Sequence, residues 1–175
     1  MTQPVERVAG HLRSEQVPFA VIGATAMAVH GVSRATQDVD LLVSSRHCLR
    51  HEFWEPLRSV GLSIDLREGD DEDPLAGVIR VSDPEHDVQV DIIVGKPAWQ
   101  AALIKAAQPQ EIDGILLPVA SAADVILLKL YAGGVQDRWD IAQLMAANAN
   151  LTPEIDAGVL LLPQYAQRLW QTLRG

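Results

Sequence analysis

Asp38 and Asp40 stand two residues apart at the head of a run, Asp-Val-Asp-Leu-Leu-Val, whose other residues are apolar and mostly suited to a strand. Side chains at i and i+2 of a strand leave the same face, so the two carboxylates would lie about 6.5 Å apart at Cα and point one way. Like charges at that spacing repel each other unless a cation sits between them. Hard divalent ions take oxygen ligands, and Mg2+ is typically held by one or two carboxylates together with substrate phosphates. The pair therefore has the chemistry of a metal site that receives a nucleotide. A third acid, Asp91, sits in Val88-Gln89-Val90-Asp91-Ile92-Ile93-Val94, where an ionised carboxylate is costly unless paired or metal-bound. Taken singly, a wet strand end for Asp91 and a solvated edge for Asp-x-Asp are the commoner situations. The combination of both with a glycine turn at Gly23 is what points to a site.

The elements that must position these groups follow from periodicity and punctuation. Thr2 can cap a first helix running to about Glu15, with Val5, Val8, Ala9 and Leu12 as its apolar stripe, and Pro18 ends that pattern. Phe19–Ile22 reads as a buried strand, Gly23 as a sharp turn, Ala24–His30 as a short helix of small residues, and Gly31 as its terminator. The loop Val32–Gln37 leads into the strand Asp38–Val43. A helix is expected from Arg46 to about Arg58, and short strands at Leu62–Leu66 and Gly77–Ser82 flank a hydrophilic loop over 67–77. In Asp87–Val94 the alternation places Val88, Val90, Ile92 and Val94 on one face and Gln89, Asp91 and Ile93 on the other. Pro97 opens a further helix to about Ala107, and Asp113-Gly114 signals a hairpin. Ser121 with Asp124 makes a capping box for a helix to Ala132, ended by Gly133-Gly134. Helices at Gln136–Ala147 and beyond Thr152, interrupted near Pro163, complete a mixed α/β chain with a helical last third.

A chain of 175 residues suits one domain, or one core with a helical appendage. No run of 18 apolar residues offers a membrane span, and the first residues lack the apolar core of a secretory signal. One cysteine, Cys48, forms no internal disulfide, and a cytoplasmic location is expected. The net charge of −9 is uneven: residues 1–95 hold 8 Lys+Arg against 16 Asp+Glu, whereas residues 96–175 hold 6 against 7. Such acidity argues against sequence-independent binding along nucleic acid, where phosphate neutralisation supplies the affinity. His47 and His51 have the i, i+4 spacing of zinc ligands, but the glutamate of the metalloprotease motif is missing, and surface histidines are the simpler account. His30 is expected to cap carbonyls at its helix end. Trp54, Trp99, Trp139 and Trp170 read as packing residues.

Three segments together resemble a known family. They are Gly23-Ala24 with its small-residue helix and Gly31-x-x-Arg34-x-Thr36-x-Asp38-x-Asp40 to Val43; Val88-Gln89-Val90-Asp91 to Gly95; and Val119 to Ile141, containing VILLKLYAG and Gln136-Asp137-Arg138. Over residues 19–147 the chain is similar to the minimal nucleotidyltransferases of the DNA polymerase β superfamily, and within them to the AbiEii-like proteins of type IV toxin–antitoxin systems.

The resemblance implies a nucleotidyltransferase fold of the α+β kind: a small mixed sheet with flanking helices over residues 1–118, and a helical segment over 119–175 packed on it. It implies transfer of a nucleoside monophosphate from an NTP to an acceptor hydroxyl with release of pyrophosphate, in a two-metal reaction using Mg2+, with Mn2+ as a substitute. Asp38, Asp40 and Asp91 would hold metal, and Asp91 would also act as base. Gly23, Ala24, Thr25, Arg34, Thr36 and Lys129 would contact the nucleotide, and Asp137 would orient Lys129 or Arg138. The acceptor could be an RNA 3′ end such as that of tRNA, a protein side chain, or a small molecule such as an aminoglycoside, and an antitoxin is an expected partner. Family members usually carry Gly-Gly or Gly-Ser where this chain has Gly23-Ala24-Thr25. Either Thr25 supplies the missing hydroxyl or the grip on phosphate is weaker. The alternative reading is therefore a catalytically weakened binding, antitoxin or regulatory module. A metal-dependent phosphohydrolase shares the carboxylates but would need a water-activating histidine cluster that the sequence lacks.

Overall fold

The computed structural model of the chain describes residues 2–33, 36 and 38–174, with backbone only for Thr2, Gln3, His86 and Asp87. Seven strands form one mixed sheet: β1 (Phe19–Ile22), β2 (Asp38–Val43), β3 (Ser63–Glu68), β4 (Leu75–Asp83), β5 (His86–Gly95), β6 (Gln108–Ile112) and β7 (Ile115–Val119), in the spatial order β3-β4-β5-β2-β1-β7-β6. The helices are α1 (Thr2–Ser14), α2 (Gly23–Val29), α3 (Glu55–Arg58), α4 (Ala98–Ala106), α5 (Ala122–Ala132), α6 (Val135–Ala147), α7 (Thr152–Gly158) and α8 (Gln164–Leu173).

The centre of the sheet is held together by pairings of opposite sense. β1 runs antiparallel to β2, which in turn runs parallel to β5 in unbroken register from Asp38↔Gln89 to Val43↔Val94. β1 also pairs in parallel with β7, across nearly a hundred residues of sequence. The strands at this centre are apolar because they are covered: Ala20, Val21, Leu41, Val43, Val90, Ile92 and Val94 are all buried. One hydrophobic core runs from Val5 in α1 to Trp170 in α8, so the C-terminal helices close the same core that the sheet begins.

Most expected elements form with boundaries shifted by a residue or two. The hairpin at Asp113-Gly114 joins β6 to β7, with both turn residues at positive φ (50° and 82°), the type I′ arrangement that matches strand twist. The loop expected over 67–77 is shorter, because Arg67 and Glu68 pair with Val78 and Gly77 in the β3–β4 ladder. Its tip is tied by Lys96, whose ammonium donates to the carbonyls of Asp70 (2.5 Å) and Asp73 (2.8 Å).

The single helix expected from Arg46 to Arg58 does not form. Two 3-10 turns, Arg46–Leu49 and His51–Trp54, precede α3, and Arg50 between them is extended (ψ 132°). The Trp54 indole donates to the Cys48 carbonyl (2.7 Å), taking the acceptor that a continuous helix would give to the amide of Glu52. His47 and His51 therefore do not share a helical face. His47 packs edge-on against Phe53, and His51 Nδ1 accepts from Arg58 (3.2 Å). Burial pushes the Cys48 thiol up to about 12, which makes it an inert packing group. Trp54 and Trp170 are buried as expected, but Trp139 is half exposed. His30 bonds not its own helix end but the carbonyl of Ala120, beyond β7, at 2.7 Å. Among the described residues no helix is long and apolar enough to cross a membrane.

Candidate active site

Parallel pairing places the three acids on one face. Asp40 and Asp91 are direct partners in the β2–β5 register, Asp38 lies two residues before Asp40, and partners across a ladder point the same way. Two separated segments thus deliver their carboxylates to one side of the sheet. That side opens into a cleft of about 380 Å³, bounded by Ile22, Gly23, Asp40, Leu42 and Ile93 from the sheet end, Leu128 and Lys129 from α5, Asp137 from α6, and Pro74, Tyr131 and Tyr165 at its rim. Tyr165 Oη donates to the Tyr131 carbonyl (2.5 Å) and Tyr131 Oη to the Pro74 carbonyl (3.2 Å), strapping α8 to α5 and α5 to the loop before β4. Burial raises both phenols above their ordinary range.

Gly23 is required at the bend by two independent constraints. Its φ is +63°, and a Cβ built on it would collide with the Asp40 carboxylate, with Cγ only 2.8 Å away. The bend thus brings the β1–α2 backbone against the Asp40 carboxylate. Gly23→Ala should cost about 1–2 kcal/mol from the left-handed backbone alone, and it must also displace Asp40. We expect thermal unfolding to show a loss of a few degrees in Tm, with activity falling far more than stability.

The remaining expected residues are placed as follows. Ala24 and Thr25 are buried in the first turn of α2. Thr36 is exposed, and its hydroxyl exchanges hydrogen bonds with the backbone of Asp38 (3.1 and 3.2 Å), fixing the entry to β2. Arg34 lies outside the described residues. Lys129 Nζ is held between Asp140 (2.5 Å) and Asp137 (3.2 Å), with only 12% of its side chain exposed. Asp137 also accepts the amide of Gly134 (2.9 Å) at the start of α6, so it both caps the helix and orients Lys129. An ammonium has three donors, and these two carboxylates leave one for the cleft.

Three residues that sequence reasoning passed over belong to this site. Asp140 is 1% exposed, bonded to Lys129 and to Gln136 (3.1 Å), and its signal was there: a lysine inside an apolar helix needs a buried counter-charge. Gln100, also 1% exposed, lines the cleft, and its Oε1 is a buried side-chain atom with no hydrogen-bond partner among the described residues. Arg80, on β4, grips Asp91 with two parallel hydrogen bonds, Nε to Oδ1 and Nη2 to Oδ2, both 3.0 Å. Gln89 adds a third bond to Asp91 Oδ1 at 3.2 Å. The guanidinium is pushed above its ordinary range, first by its hydrogen bonds to Asp91, then by the charges of Asp91, Asp38 and Asp65.

Comparison with known proteins gives the same direction. The family model described as "Nucleotidyl transferase AbiEii toxin, Type IV TA system" matches residues 12–170. The chain belongs to the AbiEii nucleotidyltransferase family. No curated protein sequence matches it. Its fold is shared with solved nucleotidyltransferases at low identity. The solution structure of the antibiotic-resistance factor ANT(2'')-Ia is 15% identical with a TM-score of 0.59, covering 98% of this chain and 96% of that one. An antigenic nucleotidyltransferase-like protein from Paracoccidioides brasiliensis is 18% identical with a TM-score of 0.53, over 97% and 90% of the chains. The lincosamide antibiotic adenylyltransferase LnuA, bound to lincomycin, is 13% identical with a TM-score of 0.51, over 85% and 98%. The AbiEii assignment thus agrees with the mixed sheet and its nucleotidyltransferase fold.

Whether the donors suit a divalent ion can be judged from their chemistry. Asp38 and Asp40 offer hard oxygen donors on one face, the set that Mg2+ takes together with phosphate oxygens. Among the described residues no three His, Cys, Asp or Glu side chains converge closely enough to hold an ion by themselves. Both oxygens of Asp91 point to Arg80 instead. The donors fit a metal that arrives with a nucleotide, held by two carboxylates and completed by substrate.

Proposed function

We propose that this AbiEii-family protein transfers a nucleoside monophosphate from an NTP to an acceptor hydroxyl. The acceptor oxygen forms a bond to the α-phosphorus, the bond from that phosphorus to the bridging oxygen breaks, and pyrophosphate leaves. What supports this reading is the register Asp40↔Asp91, with three carboxylates on one face of the sheet and Asp40 among them lining a cleft beside the Gly23 bend. Asp38 and Asp40 would hold Mg2+ or Mn2+, which supplies the Lewis acidity that offsets charge building on the phosphate oxygens. Gly23 lets the backbone pass close to Asp40, and the third donor of Lys129 is available to a phosphate. Asp91, once released by Arg80, would take the proton of the acceptor hydroxyl on a carboxylate oxygen.

The acceptor we favour is a small molecule or a protein side chain. A net charge of −9, with acids crowded in the first 95 residues, opposes binding along an RNA backbone. The family name adds the proposal that such transfer acts as a toxin restrained by an antitoxin partner. The test is incubation with each α-labelled NTP, Mg2+ and cell lysate, followed by separation of labelled protein, RNA and small molecules. Label in one class, absent with Asp38→Asn, supports the reading and names the acceptor. NTP bound but never transferred would instead favour a binding module on the same fold.

A further inference from the structure

The ladder across the sheet contains a row that the three acids alone do not describe. Asp65 on β3 pairs with Arg80 on β4, Arg80 with Asp91 on β5, and Asp91 with Asp40 on β2. Cross-strand partners share a face, so four charged side chains stand abreast as acid, base, acid, acid. Exposure falls along the row from Asp65 (54%) through Arg80 (48%) to Asp91 (16%). Arg80 therefore has an acid on each side. It holds Asp91 through the two-bond fork, and Asp65 is occupied for now by Arg67 (3.1 Å). An arginine between two acids on a pleated surface has two discrete resting places, because moving from one to the other needs only side-chain rotation.

We propose that Arg80 is a positioning residue that withholds Asp91 from the metal until substrate binds, with Asp65 receiving the guanidinium when it lets go. This rests on the nucleotidyltransferase reading above. In the free protein both Asp91 oxygens face Arg80, so a divalent ion must compete with a bidentate, charge-assisted pair for its third carboxylate. With a metal-bound nucleotide present, Asp91 would be free to serve as an oxygen donor and Arg80 would turn to Asp65. Removing the guanidinium would accordingly strengthen the first metal contact.

The test is Mn2+ binding to the intact protein without nucleotide, measured by titration calorimetry and electron paramagnetic resonance, for the wild type, Arg80→Gln, Arg80→Lys, Asp65→Asn and the double variant Arg80→Gln/Asp65→Asn. Partners that orient metal ligands typically change metal affinity by about 10–100-fold, and the expected result is about 10-fold tighter Mn2+ binding for Arg80→Gln. Arg80→Lys keeps the charge but loses the fork, and should tighten binding part of the way. Asp65→Asn should weaken binding in the wild-type background and have no effect once Arg80 is gone, because it acts through Arg80. Unchanged affinity for Arg80→Lys, with Asp65→Asn equally effective in both backgrounds, would mean only a diffuse charge effect and would overturn the proposal. The nucleotidyltransferase reading would survive that result, since label transfer tests it separately. Absence of both Mn2+ binding and label transfer in the wild type would overturn the two together.

Discussion

Replacing Asp38 or Asp40 with asparagine is expected to lower nucleotidyl transfer by about 10³-fold, the scale seen when a group that stabilises transition-state charge is removed. The fold should be untouched. Asp38 is exposed at the start of β2 and Asp40 is partly exposed, and asparagine has nearly the volume of aspartate, so neither substitution opens a cavity. Each also removes one of three like charges sharing a face, so stability should stay within about 0.5 kcal/mol of the wild type or rise slightly. Transfer of label from an α-labelled NTP and thermal unfolding, measured on the same preparations, check the two halves. A variant that keeps activity would mean that the face does no chemistry. A large drop in Tm would mean that the carboxylates are structural.

Lys129→Met should behave in the opposite way, with a large effect on stability. Its ammonium lies between Asp137 and Asp140, and Asp140 is 1% exposed. Methionine fills much the same volume but takes the ammonium away from a buried carboxylate that Gln136 also bonds. Removing one partner of a buried ion pair typically costs about 3–5 kcal/mol. Because Asp140 keeps a hydrogen bond, about 3 kcal/mol is expected. Asp140→Asn added to Lys129→Met should recover part of that loss, since the buried charge that gave up its ammonium is then gone. Chemical denaturation of the single and double variants reads both quantities. Nucleotide affinity should fall in both, because neither restores the donor facing the cleft.

Much of this architecture was legible because it is written in local pattern. Alternation along 88–94 placed Asp91 on the face away from Val90, Ile92 and Val94, and the burial of those residues follows it. Glycines and capping residues marked the ends of α2 and α5 for reasons internal to each turn, as the left-handed Gly31 and Gly133 show. What local pattern cannot carry is which strand lies beside which. Arg80 reads as one cation in a half-apolar strand, and only the antiparallel β4–β5 register sets it opposite Asp91. The region 46–58 misled for the same reason. Its apolar spacing fits a helix, but the indole of Trp54 competes for a carbonyl, a tertiary choice that propensity does not contain. Asp140 lay between these cases, since its partner was visible as a misplaced lysine but the distance between them was not.

The order in which the chain emerges from the ribosome gives the cleft a history. The strands that carry the acids, with their neighbours β3 and β4, are complete by Gly95, whereas β7, the strand flanking β1 on its other side, ends only at Val119. The wall carrying Lys129 and the Tyr165 strap come later still. Since chains begin to fold from their N-terminal portion during synthesis, a nascent protein would gather its carboxylates well before it has anything to hold a triphosphate against them. A cleft able to close on its occupant would then arrive only with α8, so a chain interrupted before Tyr165 would carry the acids without the strap that closes over them.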